Sequence, residues 1–203
     1  MPYPLTKPLE PLPPAGTRIR NPFNGETYVF TVVDEDAAEF EFDVYVEPGG
    51  MMTGTGRQHI HPYADEEFIM KEGRLRLMVD GAWHELGPGE SLLVPRGTPH
   101  LFRNGHDGET LFTARFRPGM QFLRMFLCMG SNIVQHPEWY DDRGEPPLLL
   151  QALTFGAFRG QGYAADIPVW LQTLVFAVLT PIALLKGYRL AVRPQRRRFF
   201  ARA

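Results

Sequence analysis

Between Glu26 and Phe116 the apolar residues recur at every second position, in short runs separated by turn-forming residues. Phe40, Phe42, Val44 and Val46 alternate with Glu39, Glu41, Asp43 and Tyr45, which is the pattern of a strand with one buried and one solvated face. Tyr28, Phe30 and Val32 alternate in the same way with Thr27, Val29 and Thr31. Further strands are expected at 58–61, 66–71, 74–79, 91–94, 100–103 and 110–117. Between them lie Glu47-Pro48-Gly49-Gly50, Lys71-Glu72-Gly73, Asp80-Gly81, Gly87-Pro88-Gly89-Glu90 and Asn104-Gly105. Asp-Gly and Asn-Gly favour tight hairpin turns because both residues tolerate positive φ. Many short antiparallel strands at this spacing restrict the chain to a sandwich or a barrel.

After Pro118 the period changes to that of helices, expected at 121–134, 147–158 and 168–185, with Pro147 and Pro168 at helix starts. Residues 1–25 are rich in proline and read as an extended arm. The organisation is therefore an arm (1–25), a β domain (26–117), a helical extension (118–190) and a basic tail (191–203).

A chain of 203 residues can bury a core without staples. Its formal charge of −2 argues against nucleic acid as a partner. The single cysteine, Cys128, excludes an intramolecular disulfide and agrees with a reducing compartment. The proline-rich start has no apolar core of a secretory signal, so the cytoplasm is expected. Cys128 shares an amphipathic segment with Phe122, Met125, Phe126 and Met129 and reads as packed rather than nucleophilic.

The chemistry concentrates in two segments, His59-Ile60-His61 with Glu66, and Pro95-Arg96-Gly97-Thr98-Pro99-His100. Two histidines two apart on a strand point to the same face. Glu66, Phe68 and Met70 share a face of the next strand, and His100 opens a later one. If the fold brings the segments together, three imidazoles and one carboxylate enclose one divalent ion. That donor set suits Fe, Mn, Zn, Ni, Co or Cu and does not choose among them.

These segments resemble the two motifs of the cupin superfamily. His59, His61, Glu66 and Gly73 stand at the spacing of the first motif, and Gly89, Pro95, Gly97, His100 and Asn104 at that of the second. The leading glycine of the first motif departs, because Gly54 is one residue too close to His59 and Thr53 occupies its place. The resemblance covers roughly residues 40–117. It implies a mainly β fold, a double-stranded β-helix or jelly-roll barrel, here followed by an α-helical extension. It also implies that His59, His61, Glu66 and His100 hold the metal, with coordination positions left for water or substrate.

Around these ligands, Phe68, Met70 and Phe102 share strand faces with them and would give a cavity an apolar wall. Arg57 has ligand-side parity and would reach an anionic substrate, and Tyr63 would hang over the mouth as a proton donor. Gln58 and Ile60 face away by parity. Glu67 points to solvent or a salt bridge, and His84, His106 and His136 fall in surface contexts.

At the other end, residues 167–185 carry no charge, and Lys186, Arg189, Arg193, Arg196, Arg197, Arg198 and Arg202 follow with no acidic residue among them. A helix there is expected to pack within the protein or in a homodimer; the alternative is a membrane contact through 167–200. Small bacterial cupins that this chain resembles carry a similar extension, ending in a sequence like Gly187-Tyr188-Arg189.

The function expected is that of a metal-dependent cupin acting on a small organic molecule, with dioxygenation as one activity. The alternatives are an isomerase or cyclase, and a noncatalytic metal- or small-ligand-binding cupin.

Overall fold

The computed structural model describes residues 11–50 and 57–195. The departure from the first motif at Thr53 and Gly54, the first ten residues of the arm and Arg196–Arg198 lie outside them.

The described residues form two antiparallel sheets and three α-helices, with one short strand between the second and third helix. One sheet holds β1 (Thr17–Arg20), β2 (Glu26–Phe30), β3 (Phe40–Val46), β5 (Asp65–Glu72), β8 (Ser91–Val94) and β10 (Thr110–Arg117), in the order β1-β2-β3-β10-β5-β8. The second holds β4 (His59–Ile60), β6 (Leu75–Val79), β7 (Ala82–Leu86), β9 (His100–Asn104) and β11 (Tyr163–Ala164), in the order β11-β4-β9-β6-β7. The helices are α1 (Phe122–Gln135), α2 (Leu148–Ala157) and α3 (Val169–Leu185). They fall where the change of period places them.

Alternation sets which side of each strand is buried. In β3, Phe40, Phe42, Val44 and Val46 are buried while Glu41, Asp43 and Tyr45 are less so. β5 follows the same rule, so Glu66 shares the interior face with Phe68 and Met70. A carboxylate in register with core residues is thus carried into the interior by the strand itself. Glu67, on the opposite face, joins an ionic ladder with Arg115 (3.3 Å) and Arg117 (3.0 Å).

The core lies between the sheets. Phe68 and Phe112 from one sheet meet Phe102 from the other with ring centroids 5.8 and 5.1 Å apart. Each such fully buried ring contributes about 1.5–3 kcal/mol. α1 is fastened to the interior face by Phe122, stacked 4.1 Å from Phe116, and by Phe126, 4.6 Å from Phe42. α2 and α3 pack together where Gly156 leaves room for Thr180.

Two residues of the sequence motifs hold the turns. Gly73 has φ +77, and a Cβ there would lie 2.5 Å from His106 Nε2 and 2.7 Å from the Glu109 carbonyl. Only glycine meets both demands. Asn104 donates to the carbonyls of Val46 (2.9 Å), Glu47 (3.1 Å) and Gly108 (2.7 Å), tying the end of β3 to the turn after β9.

The structure adds strands that periodicity did not mark. β1 lies inside the segment expected as an extended arm and pairs along its length with β2. β7 is an edge strand with little burial, so it shows no apolar alternation.

Candidate metal centre

The strand pairing brings the two motifs together. His59 on β4 stands directly across from His100 on β9. His61, two residues after His59, directly follows β4, and its carbonyl accepts the Gly97 N–H at 2.9 Å, which joins the turn before His100 to the first motif. Glu66 arrives from the other sheet.

One donor atom from each of His59, His61, Glu66 and His100 lies within 4.8 Å of the others. His59 Nε2 and His61 Nε2 are 3.0 Å apart, His61 Nε2 and Glu66 Oε2 3.2 Å, and His100 Nε2 and Glu66 Oε2 2.7 Å. Ligands about 2.0–2.1 Å from a shared ion would be separated by roughly 3 Å at right angles. The donors therefore already stand at the spacing of a coordination shell, and the described site can coordinate a single divalent ion.

The surroundings fix the tautomers of two ligands. A backbone carbonyl can only accept, so His100 Nδ1 donates to the Thr98 carbonyl at 2.8 Å, and His61 Nδ1 donates to the Gln161 carbonyl. With Nδ1 turned to a carbonyl, Nε2 is the atom each ring directs at the centre, as a metal ligand requires. His61 is further held edge-on between Phe116 and Phe122, both with centroids 5.2 Å away, and is 4% exposed. His59 Nδ1 is buried without a hydrogen-bond partner among the described residues.

In the metal-free site, burial and the charges of the cluster set the protonation of three of the four donors. Burial, with the nearby His100 and His61, holds the His59 imidazole well below its ordinary value, so it is neutral near pH 7. Burial would push the Glu66 carboxyl up, but hydrogen bonds from His100 and His61 overcome it and hold the carboxyl below the usual carboxylate range. For His100, burial lowers the imidazole, while the hydrogen bond and charge of Glu66 outweigh this and raise it.

The ligands open onto a cavity of about 260 Å³. His59, His61 and Glu66 line it, with Tyr28, Phe42, Phe102 and Phe112 from the sheets. The helical extension supplies much of the remainder, including Met129, Leu150, Phe155 and Phe176. Among the described lining residues Arg57 is the only cation, and it pairs with Asp166 at an exposed position.

Of the residues expected around the ligands, Phe102 and Arg57 line this cavity. Phe68 and Met70 are fully buried in the core and are not part of the lining. Tyr63 is 58% exposed, lies over Gly160 and is also outside the lining. Gln58 does line the cavity, contrary to its parity. β4 begins only at His59, so the pleat does not govern the residue before it. Ile60 packs away from the ligands against α2 and α3.

Three participants were missed from sequence. Gln161 reaches His61 with its backbone carbonyl, an atom every residue type possesses. Glu26, 1% exposed, and Tyr28 bring a carboxylate and a phenol to the cavity, with the Tyr28 hydroxyl donating to Glu26 Oε2 at 3.1 Å. Their signal was available, since Glu26 shares strand parity with Tyr28 and Phe30.

With the geometry established, comparison with known proteins gives a consistent answer. Residues 42–114 match the cupin domain family, a stretch that contains all four ligands. The chain carries a single cupin domain. Among curated proteins, the chain is 32% identical over 73 residues to Protein SchB of Streptomyces halstedii, covering 36% of the chain and 50% of the relative. It is 34% identical over 94 residues to Polyketide synthase CurC of Streptomyces cyaneus, covering 46% of the chain and 58% of the relative. The chain thus spans about half the length of the curated relatives it matches. Among solved structures, it resembles the polyketide cyclase RemF from Streptomyces resistomycificus, with a TM-score of 0.41 and 24% identity, covering 48% of this chain and 68% of that one.

Proposed function

We propose that this jelly-roll cupin holds one divalent ion and catalyses the isomerisation or cyclisation of a planar, apolar carbonyl or phenolic compound. The observation that carries it is the cavity. A metal-ligand cluster at one wall and aromatic and aliphatic side chains elsewhere suit a flat apolar substrate with one oxygen aimed at the ligands. A phosphorylated sugar would need several cations, whereas the described lining offers Arg57 beside Glu26 and Glu66. The kinship with a protein named a polyketide synthase supports cyclisation over the dioxygenation also expected from the motif.

A divalent ion in the site supplies Lewis-acid polarisation of a carbonyl or phenolic oxygen. The chain supplies the remainder. His61 and His100, with Nδ1 bonded to carbonyls, keep fixed ring orientations. Phe102, Phe112 and Phe155 exclude water and hold a flat ring system. Glu26 accepts a proton from the substrate, and Tyr28, bonded to its Oε2, orients that carboxylate. Glu66 is committed to His61 and His100 and leaves the base role to Glu26.

The test is turnover of polyphenolic and polyketone compounds by metal-loaded protein, with and without oxygen. Turnover that persists anaerobically and falls at least about a hundredfold in Glu26→Gln, with metal content intact, supports the proposal. Turnover that requires oxygen would assign a dioxygenase, and saturable binding without turnover a noncatalytic module.

A further inference from the structure

The outer surface of α3 is a continuous apolar stripe. Trp170, Leu174, Val178 and Leu185 are 69, 56, 56 and 88% exposed, and Leu171, Ala177, Pro181 and Ile182 are exposed between them. These positions recur at helical spacing on one side, over a helix about 25 Å long. The opposite side is fixed to the protein. Gln172 donates to the carbonyls of Ala164 (2.9 Å) and Ile167 (2.7 Å), Thr180 Oγ1 lies 3.2 Å from the carbonyl oxygen of Ala152, and Phe176 and Ala183 are buried. The stripe is therefore held outward by a helix that cannot simply roll over to hide it.

We propose that this stripe docks on an anionic lipid surface, with α3 lying in the plane of the interface. Charge decides the occupant. No acidic residue occurs from Ile167 to Ala203, whereas Lys186, Arg189, Arg193, Arg196, Arg197, Arg198 and Arg202 follow the stripe in a chain whose formal charge is −2. A one-signed run that follows an apolar strip in the sequence complements anionic headgroups over acyl chains. A second copy would present the same basic cluster. The stripe also lacks the flanking opposite charges that set register when helices pair in water. Trp170 near one end and Lys186 just beyond the other are residue types that favour a membrane–water boundary. No helix among the described residues is long and apolar enough to cross a membrane, which accords with a helix that lies on one.

The inner side of the same helix lines the cavity through Gln172 and Phe176. Docking thus sets the cavity one helix, about 10–12 Å, from the bilayer. That proximity suits an apolar substrate partitioned into lipid. This last link rests on the proposed substrate class; the docking stands without it.

The experiment is co-sedimentation of the full-length, metal-loaded protein with phosphatidylcholine vesicles and with vesicles half phosphatidylglycerol. Binding is expected to the anionic vesicles, weakening with added salt. The double variant Leu174→Glu, Val178→Glu changes only exposed positions and is expected to abolish binding while metal content and circular dichroism stay native. The variant Arg196→Gln, Arg197→Gln, Arg198→Gln is expected to weaken binding about fivefold for each charge removed. Failure of the native protein to bind anionic vesicles overturns the docking. If light scattering then shows a dimer that the double variant dissociates, the occupant is a second copy. If the protein is monomeric, the stripe has neither partner. Neither result touches the proposed chemistry, which is read by turnover.

Discussion

The Nδ1 of His61 donates its proton to the backbone carbonyl of Gln161, a hundred residues further along the chain. A metal ligand of the β domain is thereby oriented by the helical extension, and the extension becomes part of the site. Gln161 is itself fixed there, since its Oε1 accepts the Gln121 N–H at 3.2 Å at the start of α1.

From this it follows that Gln161→Ala, which leaves the carbonyl in place but releases its anchor, loosens His61. Metal affinity should fall about tenfold, within the range for residues that orient ligands. Competition with a chelating dye measures this, and affinity equal to the native protein's would show that the extension only covers the site.

The metal-free protein should lose stability on acidification in two stages. His59 titrates below its ordinary value when folded, so the unfolded chain binds its proton more readily and stability falls as the pH drops below about 6.5. Glu66 is also held low, and its contribution, present above about pH 4.3, is lost as the pH falls further. His100 has the opposite sign. Its folded value is raised, so its contribution is present below about pH 6.5 and fades as the pH rises through the folded value. Denaturant titrations across this range should show these slopes, and His59→Asn should flatten the first. A slope there unchanged by the substitution would contradict the environment assigned to His59.

Cys128 should be inert in the native state. It is fully buried, and burial pushes its thiol up to about 12. A thiol-specific disulfide reagent at mildly alkaline pH should label it only after denaturation. Rapid native labelling would mean that α1 detaches readily from the sheet it covers.

Much of this architecture was legible because strand periodicity has a direct physical cause. Alternation in β3 and β5 predicts which side chains turn inward, and it carries Glu66 to the interior with Phe68. The two-residue spacing of His59 and His61 similarly marks a shared face, and the motif spacing anticipates the four clustered ligands. What was not legible depends on atoms or contexts without a sequence mark. The Gln161 carbonyl is backbone, so no residue type announces it. The aromatic faces of α1, α2 and α3 look the same in sequence whether they fill a core or wall a cavity. Phe68 and Met70 share parity with a ligand, yet both are buried in the core and stand outside the cavity lining. Parity shows the side of a sheet and says nothing of depth.

The most direct measurement is the metal content of native protein and of His61→Ala, purified without added metal or an affinity tag and handled anaerobically. About one divalent ion per chain is expected in the native protein. In His61→Ala it should be largely lost while the circular dichroism spectrum is kept. Equal metal in the two proteins, or none in the native protein even after reconstitution, would contradict a centre built from His59, His61, Glu66 and His100.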